Sequence, residues 1–148
     1  MLLEEFLSNA AIKAWALSSI VVALKTLATG MLVSSIRIRK NVFSSPEDYE
    51  LQKLEPQTAT DDQVERARRV HLNDLEAGLP FVLVGLIYAL TQPSTLGLWI
   101  CFAGFPIGRI LHLVAYMKGL MPHRTAVWSI GFGITVWMAV TSAISILT

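Results

Sequence analysis

Four apolar runs, each close to the length of a bilayer crossing, decide what this chain can fold into. They cover roughly residues 10–35, 74–90, 95–120 and 124–147. The hydrocarbon core of a membrane takes about 20 apolar residues of helix. Backbone N–H and C=O groups find no water there, so each run must pair them internally, and helices follow rather than strands. Composition agrees. Hydrophobic residues fill 53% of the 148 positions and charged residues only 16%, with a mean hydropathy of +0.54. A soluble domain of this size has too little interior for that much apolar surface. The expected fold is all-α and integral to the membrane. It is a bundle of four transmembrane helices forming a single domain over 1–148, with a polar loop at about 36–62.

Several function classes drop out. The net charge is +1, which gives no reason to expect a nucleic-acid partner. Cys101 stands alone, so neither an intrachain disulfide nor a zinc cluster is expected, and deep in an apolar run it reads as a small hydrophobe. The three histidines lack metal-ligand spacing. The start, "MLLEEFLSNA", is acidic where a cleaved signal would be basic, so the first run is expected to be retained. Basic residues set the orientation. Arg37, Arg39, Lys40, Lys53, Arg66, Arg68, Arg69, Lys118 and Arg124 all fall on the side of the first and third connections. That side is expected to face the cytosol, with both termini on the lumenal side.

The second run is peculiar. "HLNDLEAGLPF", residues 71–81, carries a carboxylate pair and an amide to the edge of lipid. A capping box at Thr60 and Gln63, with Asp61 and Asp62 in the first turn, predicts a helix that begins in the cytosol. On such a helix Arg66, Arg69, Asn73 and Glu76 recur at spacings of 3, 4 and 3. They share a stripe about 80° wide by helix periodicity. Asp74 and His71 lie on other faces. Asp74 is expected to partner a neighbouring helix. The third run repeats the device, with Arg109, His112 and Tyr116 on one face above Phe105. An arginine within a span costs at least about 2.5–3.5 kcal/mol and so takes a partner. Glu76 is the expected one. Arg37 and Arg39 close the first run, and Arg124 opens the fourth.

Taken singly, these groups have plainer readings. The basic residues after the first run serve as topology signals or touch head groups. Arg66 and Arg69 form a solvated face. Asn73, Glu76 and Arg109 make interhelical pairs. Taken together, they place one polar cluster per helix at one membrane depth. That arrangement suits an anionic, peptide-like, water-soluble ligand that meets something apolar arriving from lipid.

"VERARRVHLNDLEAGLPF" followed by "GRILHLVAY" on a four-run chain resembles the MAPEG family, the membrane-associated proteins of eicosanoid and glutathione metabolism. "RIRKNVFSSPEDYE" and "PHRTAV" add to the resemblance, which covers nearly the whole chain. It implies a homotrimer in the membrane of the endoplasmic reticulum, with the mitochondrial outer membrane as a second location. Glutathione, the co-substrate, would lie between subunits near the cytosolic face. The implied glutathione contacts are Arg37, Arg69, Asn73, Glu76, Arg109, His112, Tyr116 and Arg124. Arg109 would be structural first. Arg124 would lie near the glutathione sulfur, with Thr125 as a hydroxyl donor. Asp48 matches an acid proposed as a helper in the prostaglandin E synthase branch. Leu72 follows the family's transferase pattern, and Thr125 and Trp128 depart from the synthase pattern. The loop before Arg124 is one residue shorter than in either branch.

The chemistry implied is thiolate attack. A free thiol has a pKa of about 8.5, and a fixed guanidinium at the sulfur favours the charged form. The first expectation is a transferase that joins glutathione to lipophilic electrophiles and reduces lipid hydroperoxides. The second is a glutathione-dependent prostaglandin E synthase. The third is a non-catalytic scaffold that presents lipids.

Overall fold

Asn9 opens the first long helix. Its side-chain oxygen accepts from the amides of Ala11 at 2.8 Å and Ile12 at 3.3 Å, which gives two orphan donors a partner. It also separates a short helix α1 (Leu2–Ser8) from α2 (Ala10–Lys40). A computed structural model of the chain describes residues 2–56 and 61–148. At 31 residues, α2 is about 46 Å long, which exceeds a hydrocarbon core of about 30 Å. The excess carries Arg37, Arg39 and Lys40 beyond the apolar run as its last turn. Asn41 ends the helix in the left-handed conformation, φ +55°, which asparagine tolerates. The expected loop at 36–62 is therefore shorter than the sequence suggested. It contains a further helix α3 (Pro46–Gln52), with proline in the first turn.

Helix α4 (Asp62–Leu90) runs unbroken from the polar side to the far turn. Its cap is Asp61, whose carboxylate accepts from Gln63 N at 2.9 Å and Val64 N at 3.0 Å. Thr60, the cap expected from sequence, lies outside the described residues. The third crossing is built from α5 (Thr95–Leu98), a π-helical turn (Trp99–Ala103) and α6 (Gly104–Met117). Pro106 has no N–H to reach back to Phe102, and the widened turn lies directly upstream. Helix α7 (His123–Leu147) completes the set. Among the described residues, four helices are long and apolar enough to cross a membrane.

The packing is that of a chain in lipid. Leu17, Leu24, Leu79, Leu83, Trp137 and Ile144 point outward and are exposed, which suits hydrocarbon surroundings as well as protein ones. Inside, Phe81 stacks on Phe105 with ring centres 3.8 Å apart, and Ile12, Val22, Phe102 and Met138 close around them. Gly85 is closely packed here. A Cβ on it would come within 3.1 Å of Trp15 and 3.2 Å of Phe102. With the gap kept open, Trp15 Nε1 donates to the Val82 carbonyl at 2.9 Å and locks α2 to α4.

The start of α4 is pH-sensitive. The hydrogen bond from Lys40, at 2.7 Å, and then those from the amides of Val64 and Gln63 hold the Asp61 carboxyl below its ordinary value. A carboxyl depressed in the fold contributes stability above its unfolded pKa and loses it as pH falls through the folded value. Amide-exchange protection at Gln63 and Val64 should hold at neutral pH and fall below about pH 4. Asp61→Ala should lack that protection throughout. Protection that is constant across this range contradicts the assignment.

Candidate functional site

The polar centre of the bundle is Asp74, a carboxylate with 2% of its surface exposed. Its Oδ1 accepts from Arg109 Nη2 at 2.6 Å. Its Oδ2 accepts from Lys25 Nζ, and from Thr29 Oγ1 at 3.0 Å. One side chain therefore ties α4 to α2 and to α6. Lys25 and Thr29 stand one turn apart, so both reach the same oxygen; the Lys25 carbonyl, 2.9 Å from Thr29 Oγ1, is the alternative acceptor for its one hydroxyl proton. The expectation that Asp74 partners neighbouring helices matches this geometry. The expectation that Glu76 pairs with Arg109 is corrected. Arg109 donates to Asp74 and, at 2.9 Å, to Asn73 Oδ1. The reason is rotational. Asp74 faces the bundle interior, whereas Glu76, two residues on, is exposed.

Asn73, Glu76 and Arg109 line the polar end of an open cleft of about 210 Å³ between α4, α6 and α7. Its other wall is apolar, formed by Phe105, Trp128, Phe132 and Val136. Trp128 stacks on Phe132 with ring centres 5.5 Å apart. Pro80 lines the cleft as well, and because it has no N–H the Glu76 carbonyl lacks its usual helical donor. A polar floor thus meets an aromatic wall within one groove.

A second group lies along α6 towards the α7 start. His112 is buried, and its ring meets that of Tyr116 edge-on at 5.6 Å. The Arg124 guanidinium sits 4.5 Å from the centre of the Tyr116 ring, a cation–π contact. Arg124 occupies the first turn of α7, which begins without a side-chain cap. The Arg124 amide donates to the Leu120 carbonyl at 3.0 Å, and the helix presents the arginine side chain at its positive end. Thr125 Oγ1 donates to Met121 Sδ at 3.8 Å. Among the described residues, His112 Nδ1 is buried with no hydrogen-bond partner.

The remaining candidates lie apart from both groups. Arg37 donates to Ser44 Oγ at 2.6 Å. Asp48 is exposed on α3 and accepts from Ser45 Oγ at 2.9 Å. Arg69 is exposed on α4, one turn before Asn73, and does not line the cleft. Two residues were missed as members of the polar centre, Lys25 and Thr29. The signal for Lys25 was visible, since a lysine in mid-span needs an acid. Thr29 carried no such signal. His71, on another face of α4, packs against Gly30 of α2, where a Cβ would come within 3.2 Å of its ring.

The fold and the site define a class: a four-helix integral membrane protein with a buried charge cluster under an amphipathic cleft. The MAPEG family model matches residues 15–144, and the chain belongs to that family. Microsomal glutathione S-transferase 1 of Bos taurus is 35% identical over 142 residues, covering 93% of this chain and 92% of that protein. The Homo sapiens protein of the same name is 32% identical over the same shares. Prostaglandin E synthase of Homo sapiens is 33% identical over 126 residues, covering 84% of this chain and 82% of its own.

Removing the acid from a buried cluster leaves its cations uncompensated, at about 3–5 kcal/mol. Asp74→Ala should lower the thermal midpoint in detergent by on the order of 10 °C. Lys25→Met should cost less, because Asp74 keeps Arg109. Equal losses for the two variants contradict the hub.

Proposed function

We propose that this protein is a membrane-bound glutathione transferase that joins the glutathione sulfur to lipophilic electrophiles and reduces lipid hydroperoxides. The observation that carries the reading is Arg124, held over the Tyr116 ring at the uncapped start of α7. The aromatic-walled cleft runs between the same helices. The name of the glutathione S-transferase relatives supports glutathione as co-substrate.

The residues suit the chemistry. Glutathione loses its thiol proton to solvent, and the Arg124 guanidinium stabilises the thiolate without giving up a proton of its own. The positive end of α7 adds to the effect. The thiolate forms a carbon–sulfur bond to the electrophile, and the leaving group departs with its electron pair. Thr125 donates a hydrogen bond at the sulfur. Asn73, Glu76, His112, Tyr116, Arg37 and Arg69 hold the peptide, Glu76 by accepting from its ammonium group and Arg37 by facing a carboxylate. Arg109 holds the floor in place, and Asp48 assists from α3. Holding both reactants together removes entropy from the barrier. The electrophile enters along the apolar wall.

The chain works as a single four-helix domain assembled as a homotrimer in the endoplasmic reticulum, with its long loop cytosolic and its termini lumenal. Arg37, Arg69 and Asp48, which lie apart from the cleft within one subunit, complete a neighbour's site in that arrangement. The second reading is a prostaglandin E synthase, favoured by relatives of that name at similar identity. Leu72, which follows the transferase pattern, and Thr125 and Trp128, which depart from the synthase pattern, support the transferase reading.

Purified protein should conjugate glutathione to a chlorinated nitrobenzene. Arg124→Ala should lower that rate about 100-fold while the oligomer keeps its elution volume. Endoperoxide isomerisation without conjugation establishes the second reading instead. Undiminished turnover in Arg124→Ala overturns the mechanism.

A further inference from the structure

We infer that Arg109 is a positioning residue. It turns the Asn73 carboxamide so that only its N–H donors face the cleft, and Asp74 holds Arg109 in the posture that does so. The inference rests on the proposed glutathione site and adds what that site demands of its ligand.

The reasoning begins with donor inventory. A guanidinium has five N–H donors and no acceptor. The atom of Asn73 that meets Arg109 must therefore be the carbonyl oxygen, Oδ1, and the observed contact is Arg109 Nη2 to Asn73 Oδ1 at 2.9 Å. This settles the orientation of the amide by chemistry, since the reverse orientation would set two donors against each other. Among the described residues, Nδ2 of Asn73 has no hydrogen-bond partner, and Asn73 lines the cleft. A half-buried NH₂ without a partner asks for an acceptor from the ligand.

Arg109 itself cannot turn away. It is 4% exposed, and the nitrogen that reaches Asn73 also donates to Asp74 at 2.6 Å. Asp74 is fixed in turn by Lys25 and Thr29 of α2. The posture of one cleft-facing amide thus depends on a chain of contacts crossing three helices. The positions of Asn73 and Asp74 in sequence explain how. They are adjacent on α4, so they splay about 100° apart. One guanidinium between them can hold the inward carboxylate and the cleft-side carboxamide together.

The cleft then has a fixed polarity. Asn73 offers a donor, and Glu76, three residues on and on the same wall, offers an acceptor. A ligand group opposite Asn73 must be a carboxylate or carbonyl oxygen, and one opposite Glu76 must be an amine or amide N–H. Such a floor accepts an amino-acid head in one direction and rejects it reversed.

Two variants in the full oligomer test this. Asn73→Asp keeps an oxygen for Arg109 and the side-chain shape, but it replaces the cleft-facing donor with an acceptor. KM for glutathione should rise about tenfold, with a much smaller change in kcat and an unchanged thermal midpoint. Arg109→Lys keeps a cation on Asp74 but cannot fork to Asn73, and it should raise KM in the same direction with a smaller factor. A purely structural role would lower the midpoint and leave the KM of the surviving enzyme alone. Should Asn73→Asp fail to fold, Arg109→Lys decides. If either folded variant keeps the wild-type KM, the inference is overturned and the function stands. If wild-type protein neither binds nor turns over glutathione, the function fails and this inference fails with it.

Discussion

A carboxylate buried inside a membrane bundle has to be paired, and in this protein the polar centre is arranged around that need. Asp74 receives two cations and a hydroxyl from two other helices. None of the three partners belongs to α4, so the helices must approach at one depth and one rotation for the bonds to form. Apolar packing in a membrane discriminates poorly between rotations, because a leucine is as content against lipid as against another helix. The charge cluster supplies the discrimination. It fixes α2, α4 and α6 about a point, and the aromatic stack of Phe81 on Phe105 then fills the space beyond it.

Function follows from what the cluster leaves at its edge. Asn73 and Glu76 flank Asp74 on α4 but face a different way, onto the cleft. The same few residues therefore build the interior and the floor of the groove. The wall opposite is aromatic and contributed by α6 and α7. A water-soluble peptide and an apolar electrophile need such a junction, since neither enters the other's solvent. The stack of His112, Tyr116 and Arg124 extends the polar group towards the start of α7.

Much of this was legible in the sequence. Length and hydropathy are strong signals for a spanning helix, because lipid permits few alternatives, and all four runs correspond to helices. The rotation of α4 was legible from spacing alone, including the separation of Asp74 from Asn73 and Glu76. Helix ends were less clear. Arg37, Arg39 and Lys40 are polar yet helical, because propensity and cap geometry set the end of α2 rather than hydropathy. Partner choice was the least legible. Glu76 and Asp74 are both carboxylates on one helix, and only the packing of α6 against α4 decides that Arg109 meets the second. Thr29 was illegible, since threonine in a span has many harmless uses.

The central claim is that Arg124 holds glutathione as a thiolate at the cleft. The most direct measurement mixes purified oligomer with glutathione at neutral pH and follows the thiolate's ultraviolet absorption together with the proton released, with no electrophile present. The account predicts that both signals rise on binding in the wild type and vanish in Arg124→Ala while glutathione still binds. Bound glutathione that remains a thiol in the wild type, or thiolate formation undiminished in Arg124→Ala, would contradict it.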